Sequence, residues 1–347
     1  MINVEDLKLM NVKIEKRSKY TIEYLDQMLE KYRKICCIDV EKFVHGKSVR
    51  KTTHQRKYEK LSEYIEKLKK YAKHIEICTE KRNSYSKTDN SATFMRIKRD
   101  YIGNDQLLPA YNMQVAVCDE YIATVDVKQF TSDMDYFEPL MEKFNKQYGK
   151  YPKYPVADAS YASFNNYINC EQHSMQKFMK FTMFEKEIKD EKYRNNPYKS
   201  TNFKYDENGN LICPNGRKFK FKLKRHINGN KYGRTEEIYE CESCADCPNK
   251  NECCPKAKNN RTVRINKELT SMHEEVLKNL CSIHGALLCM NRSIQVGVTY
   301  GIIKNDKSYR RIRRREIDNV ILGITLIACC FNLCKYHNKK MKIEKCA

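Results

Sequence analysis

The amino-acid sequence predicts an α/β fold: a mixed sheet flanked by helices and interrupted by two insertions. Three observations carry this prediction. Residues 20–80 repeat apolar side chains at three-to-four spacing, the period of an amphipathic helix. From Tyr111 the pattern changes to short alternating runs, the period of a strand. Residues 188–265 are polar and turn-rich, and they hold most of the clustered cysteines. A chain of 347 residues can bury one sizeable core or two modest ones.

The first insertion, 20–83, reads as a helical hairpin. Leu25, Met28, Leu29 and Tyr32 mark one helix, and Leu61, Tyr64, Ile65, Leu68 and Tyr71 mark the next. Val44-His45-Gly46-Lys47-Ser48 supplies the turn between them. Past Ile102-Gly103-Asn104-Asp105, Met113, Val115 and Val117 alternate as one strand and Tyr121 to Val127 as the second, with Asp119-Glu120 as the hairpin turn. Thr131-Ser132-Asp133 offers an N-cap to a helix carrying Phe137, Leu140, Met141 and Phe144, which Gly149 and Pro152 end. Tyr154-Pro155-Val156-Ala157 is then a brief strand running into Asp158. Hairpin, helix, then a strand ending in an acid is the ribonuclease-H-like order. After the second insertion, helices are expected from His273 to Ile294 and from Ile317 to about Lys335, the latter as a core helix.

Lys and Arg number 66 against 44 Asp and Glu, a formal charge of +22. Such an excess favours a polyanionic partner, because each neutralised phosphate releases condensed counterions. Seventeen cysteines without a secretory signal imply reduced thiols and a cytoplasmic location. The apolar stretch Val320 to Cys334 is too short to span a bilayer and is broken by Gly323, Thr325 and Asn332, so no membrane partner is expected. His273 and His284 read as packing or surface residues, and Cys36, Cys37, Cys78, Cys118, Cys170, Cys281, Cys289, Cys329, Cys330 and Cys334 as packing residues.

Three constellations carry chemistry. Asp158 stands where a carboxylate could join others in holding divalent ions for phosphoryl transfer, which require converging oxygen ligands. The plain alternative is an aspartate capping the turn into Ala159-Ser160-Tyr161. Cys241, Cys244, Cys247 and Cys253 follow a C-x2-C-x2-C-x5-C pattern, with Cys254 adjacent and Cys213 upstream. Cys213, Cys244, Cys247 and Cys253 suit a structural Zn²⁺, with Cys241 as an alternative ligand; free thiols in a metal-free insertion are the other reading. The stretch from Lys304 to Arg315 holds Lys304, Lys307, Arg310, Arg311, Arg313, Arg314 and Arg315, groups that grip phosphates without reading sequence, or a solvated charge run. Arg217, Lys218, Lys220, Lys222, Lys224 and Arg225 interleave with Phe219, Phe221 and Leu223, a strand with one basic face and an auxiliary phosphate contact.

Several blocks bear a resemblance, in order over roughly residues 80–335. They are Ser84-Tyr85-Ser86-Lys87-Thr88-Asp89, Ala92-Thr93-Phe94-Met95, Gln106 to Gln114, Val156 to Tyr161, Lys180 to Glu187, Cys241 to Cys253 and Arg292-Ser293-Ile294-Gln295. Together they resemble DDE transposases of bacterial insertion sequences. The resemblance implies a ribonuclease-H-like catalytic domain that uses Mg²⁺ to cut transposon ends and join them to target DNA. It puts the family's second Asp on Asp158. The family's Glu, in a Gln-Val-Glu-Gly-x-Phe-Gly pattern, falls on Gly297 within Gln295-Val296-Gly297-Val298-Thr299-Tyr300-Gly301. The first Asp, which opens an Asp-Gly-Thr-Lys-Ile-Glu run, falls on Met10 before Asn11-Val12-Lys13-Ile14-Glu15, or on Asp6 in a shifted register. Ser91, Ser160 and Glu316 stand where Asp, Gly and Gly are expected, and the family's N-terminal helical domain is missing. Arg292 shares the helix of the third acid and so faces the same cleft.

The division expected is 1–19 as a remnant of the first core strand, 20–83 the helical hairpin insertion, 84–187 the first part of the core, 188–265 the cysteine-rich insertion and 266–347 the helical remainder with its basic tail. The expected function is DDE-type transposition, lost in this copy because only Asp158 of three carboxylates is clear, with Glu187 or Asp135 as substitutes of last resort. The alternative is a non-catalytic DNA-binding protein that kept the basic cleft; a weaker third is a zinc-dependent adaptor. The implied partners are transposon-end and target DNA and, as an option, a second copy in a homodimer.

Overall fold

The structure, a computed structural model, describes residues 21–46, 50–78, 82, 84–96, 103 and 105–346. The segment 1–19, with Asp6 and Met10, lies outside them. The chain divides into two compact units, Met1–Ala110 and Tyr111–Ala347.

In the first unit, α1 (Ile22–Ile35) packs on α2 (Thr53–Cys78) through Leu25, Leu61, Tyr64 and Ile65. The three-to-four spacing places these side chains on facing stripes. Thr21 caps α1 by accepting from the Tyr24 amide at 3.2 Å. Strands β1 (Thr93–Arg96) and β2 (Leu107–Ala110) pair antiparallel.

The second unit begins with the hairpin of β3 (Asn112–Cys118) and β4 (Tyr121–Lys128). Asp119 and Glu120 both take positive φ, 54° and 70°, the backbone twist that a two-residue hairpin turn requires. One face of the hairpin buries Ile122, Val125 and Val127 against Val320, Ile324, Ala328 and Phe331 of α10 (Ile317–Cys346). The other face is polar, with Gln114, Thr124 and Asp126 buried; Lys143 of α3 (Phe137–Tyr148) approaches Asp126 at 3.6 Å.

A second core gathers Phe137 and Met141 of α3, Tyr167 of α4 (Phe164–Gln172), and Met272 and Val276 of α8 (Lys267–Cys281). Phe178 and Met179 of β6 lie inside it, and β5 (Val156–Ala157) runs parallel to β6 (Phe178–Met179). Lys177 is 2 % exposed and lies 2.5 Å from both Glu171 and Glu275, so its buried charge is compensated twice. The result is a mixed α/β structure with small sheets. Among the described residues no strand joins β3–β4 to β5–β6, so the single mixed sheet expected from the sequence is not present there.

Short helices α5 (Phe184–Lys189) and α6 (Glu191–Arg194) lead into the cysteine-rich segment. It contains β7 (Lys204–Tyr205) paired with β8 (Leu211–Ile212), a three-stranded sheet of β9 (Phe219–His226), β10 (Thr235–Cys241) and β11 (Thr262–Ile265), and the short helix α7 (Lys250–Cys253). Its core is Phe203, Leu211, Cys213, Phe219, Cys241, Cys244 and Val263. The single basic face expected of β9 does not form. A register shift sets Phe221 opposite Tyr239 but Leu223 opposite Ile238. Successive residues point to opposite faces, so the bulge moves everything beyond it to the other side. Lys220, opposite Glu240, and Lys224, opposite Glu237, consequently lie on different faces.

The helix expected from His273 to Ile294 is broken. Ser282 is extended, with ψ 155°, and its hydroxyl accepts from the Gly285 amide at 3.0 Å to start α9 (Ile283–Gly301). A Cβ on Gly285 would meet the Asn279 carbonyl oxygen at 2.0 Å, so only glycine fits this elbow. A π-helical turn, Ile302–Asp306, closes α9. Glu316 then takes φ 65°, a backbone that suits the glycine expected there.

Helix α10 is buried on one side only, which corrects the expected core helix. Its outer face exposes Leu322, Leu326, Leu333, Cys329, Cys330 and Cys334. These cysteines are therefore not packing residues, nor are the exposed Cys37, Cys118 and Cys281; Cys170 is buried as expected. The helix continues past Cys334, so that Ile317–Glu344 is long and apolar enough to cross a membrane by length and composition.

Candidate functional site

The site is built around Asp158, which follows β5 and opens the 3₁₀ turn Ala159–Tyr161. Its side chain makes no capping hydrogen bond to that turn, so the plain capping reading fails. Instead Arg292 of α9 places its guanidinium 2.7 Å from the Asp158 carboxylate. Asp158 is 63 % exposed and Arg292 27 %, so water screens the pair.

Tyr161 reaches from the same turn to β3, where its hydroxyl donates to the Gln114 side-chain carbonyl. Gln114 in turn donates to Asn112 at 2.7 Å and to Asp133 at 3.1 Å, while Asn112 donates to Asp133 at 2.8 Å. Tyr300 of α9 donates to the Met113 carbonyl at 3.2 Å. Burial pushes the Tyr161 hydroxyl well above its ordinary range, and the Asp133 charge adds to the shift, followed by Tyr300 and Asp158. Tyr300 is pushed up to about 12, first by burial and then by Asp133.

Asp133 is the residue that sequence reasoning missed. It was expected to cap α3, but it makes no side-chain cap bond and accepts from β3 instead. The signal was available in its position ahead of α3, yet a capping aspartate and one held by a neighbouring strand look alike in sequence. Glu187 pairs with Lys199, and Asp135 is exposed on the 3₁₀ turn Met134–Tyr136.

Gly297 lies on the exposed face of α9, with open space where a side chain would begin. Among the described residues no three His, Cys, Asp or Glu side chains gather at metal-binding distance. The donor set around Asp158 therefore does not fit a pair of Mg²⁺ ions: one carboxylate faces a guanidinium, and Gly297 supplies no ligand.

The cysteines do not form a zinc set either. Cys213, Cys241 and Cys244 are buried, Cys247 and Cys253 partly so. Burial, reinforced by Cys244, pushes the Cys241 thiol up to about 12. Arg261 holds the group together: its guanidinium donates to the Cys253 sulfur at 2.7 Å and to the Tyr198 carbonyl at 2.6 Å, and its amide donates to the Cys244 sulfur at 3.4 Å. The Asn215 amide donates to Cys247 at 3.6 Å.

The remaining sequence candidates, Lys304, Arg310, Arg311, Arg313, Arg314 and Arg315, are all exposed between α9 and α10. The Arg314 stem passes 2.8 Å from where a Gly323 Cβ would stand, so the loop is tied to α10 there. The histidines pack: His273 stacks on Phe181 at 4.3 Å and His284 meets Tyr154 edge-on at 5.0 Å.

Residues 212–337 match the family model described as Transposase DDE domain, a span running from the cysteine-rich segment through α9 and the basic loop into α10. No curated protein and no solved structure matches the chain. A DDE domain suggests transposase function and implies DNA as the partner. The match, on the segment holding Arg292 and Gly297, supports the DDE transposase family for this chain.

Proposed function

We propose that this chain is a DDE-type transposase by descent that binds DNA without cutting it. On this reading 84–187 and 266–347 form a ribonuclease-H-like core, with 20–83 and 188–265 as insertions and 1–19 as the remnant of its first strand. The observation that carries the proposal is the ion pair between Arg292 and Asp158, beside a helix with glycine at the third acid's position. A carboxylate engaged by a guanidinium, with no second acid from α9, cannot share two divalent ions. Asp133 is too committed to Asn112 and Gln114 to substitute.

Phosphate binding falls to the loop of Lys304, Arg310, Arg311, Arg313, Arg314 and Arg315. Its guanidiniums position a duplex by charge, without base readout. Arg292 takes part only when a phosphate displaces Asp158. Cys213, Cys241, Cys244, Cys247 and Cys253 act as a packed thiol cluster around Arg261, and Zn²⁺ is not required.

The test is duplex binding and strand transfer with Mg²⁺ or Mn²⁺. Salt-sensitive binding without strand transfer is expected. Replacing the five loop arginines by Ala should cut the slope of log affinity against log salt by up to ~4. Metal-dependent cleavage abolished by Asp158→Ala would overturn the proposal.

A further inference from the structure

Strand β5 runs parallel to β6, with Val156 opposite Phe178 and Ala157 opposite Met179. The next residues along the two strands are Asp158 and Lys180. An acid and a cation therefore stand level at the carboxyl ends, where open α/β sheets hold their ligands. Among the described ion pairs the two do not meet. Asp158 turns to Arg292 at 2.7 Å. Lys180 lies 2.6 Å from Glu185 of α5, which also takes Lys189 at 2.8 Å.

Arg292 and Lys180 nevertheless act on one place. Cys289 lies half-buried on α9, three residues before Arg292. Burial pushes its thiol up, and the positive charges of Lys180 and Arg292 both pull it back, with Glu185 acting against them. Charges are felt in this way only at short range. The end of β6 and the middle of α9 thus bring two cations to the surroundings of one sulfur.

Each cation is the more enclosed member of its pair. Arg292 is 27 % exposed against 63 % for Asp158, and Lys180 38 % against 51 % for Glu185. Carboxylates so open to water give up an ion pair at little cost. Neither bridges the two cations among the described ion pairs. A phosphodiester can, because its two unesterified oxygens sit on one phosphorus. One oxygen takes the planar fork of a guanidinium and the other the point charge of an ammonium. A divalent cation fits the place poorly, since both inner groups are positive.

We propose that Lys180 and Arg292 form a phosphate subsite at the ends of β5 and β6, which holds one phosphodiester of bound DNA. Asp158 and Glu185 are the internal anions that the phosphate displaces. The source of the phosphate rests on the DNA-binding reading above; the subsite itself does not.

Titration of the full chain with a short duplex at several salt concentrations tests the first part. Lys180→Gln and Arg292→Gln should each weaken binding by about three- to tenfold. Each alone, and both together, should lower the slope of log affinity against log salt by about 0.9, because a single phosphate is lost. Lys180→Arg should bind like the parent, which separates the loss of charge from any loss of folding. Asp158→Asn should strengthen binding in the parent chain and leave it unchanged in Arg292→Gln. Inorganic phosphate, compared with chloride at equal ionic strength, tests the subsite without DNA. It should slow alkylation of Cys289 by iodoacetamide at least twofold, mapped by mass spectrometry, in the parent and not in Lys180→Gln. A chain that binds no duplex yet shows this protection keeps the subsite and refutes the DNA reading. Slopes that fall additively in the double variant overturn the proposal. So does a weakening of duplex binding by Asp158→Asn, or a Cys289 indifferent to phosphate.

Discussion

Arg292 and Arg261 each sit where the sequence suggests a metal ion, yet the two arginines stand in different surroundings. Arg292 makes one direct ion pair, with an exposed Asp158. Arg261, likewise half-buried, has several partners: its guanidinium donates to Cys253 and Tyr198 and lies 4.8 Å from the Phe203 ring, and its backbone amide donates to Cys244. Both side chains bring a fixed positive charge to groups that could bind a cation. The Arg261 guanidinium does structural work, because it ties the Cys253 sulfur to the Tyr198 carbonyl of another segment. The Arg292 pair, with its exposed carboxylate, can be exchanged for a phosphate or for solvent at little cost. Similar chemistry thus gives a structural tie in one place and a displaceable pair in the other.

The largest effect expected is on the elbow that delivers Arg292. Gly285→Ala forces a Cβ to within 2.0 Å of the Asn279 carbonyl and should destabilise the second unit by about 3 kcal/mol. Chemical denaturation measures the loss. Quenching or exchange probes should show α9 disturbed before the cysteine-rich sheet; simultaneous collapse of both would contradict independent settings for the two arginines.

The arginines themselves give the next contrast. Arg261→Met keeps the stem and the backbone amide that serves Cys244 but leaves the Tyr198 carbonyl and the Cys253 sulfur without a donor, at a cost of about 1–3 kcal/mol. Arg292→Met should cost less than ~1 kcal/mol. Thermal melts of the two variants in parallel decide the point. Equal losses would mean that the Arg292 pair is as structural as the Arg261 contacts.

The smallest effect is a slope. His273, stacked on Phe181 from α8, is held below its ordinary value by burial and then by Arg234. The unfolded chain therefore takes the proton first. The contribution of neutral His273 is fully present above the unfolded imidazole value of ~6.5 and is lost as pH falls through its lower folded value. Urea midpoints between pH 7.5 and 5 should fall in the parent chain and fall less in His273→Phe. An unchanged slope would show that His273 is not the group responsible.

Local structure was legible wherever periodicity and turn chemistry agree. The hairpin around Asp119-Glu120, the helix ended by Gly149 and the two stripes with Leu25 and Ile65 appear as expected. Features that depend on a neighbour were not legible. The bulge in β9 comes from its register with β10, and the one-sided burial of α10 comes from a hairpin about two hundred residues earlier in sequence. At the candidate site, Asp158 was visible as an acid ending a strand, whereas its partner could not be read from spacing. Arg292 lies on a helix whose direction is set by Gly285.

The sequence alone determined which residues could do chemistry here: one acid after β5, an arginine on α9 directly before Ser293-Ile294-Gln295-Val296-Gly297, and a cluster of thiols. It could do so because composition and order survive without coordinates. Tertiary structure decided what those groups face. Asp158 meets a guanidinium because a helix far along the chain brings Arg292 to it, and the Arg261 guanidinium beside Cys253 also reaches the distant Tyr198 carbonyl. Contact between remote segments depends on packing, which no local pattern encodes.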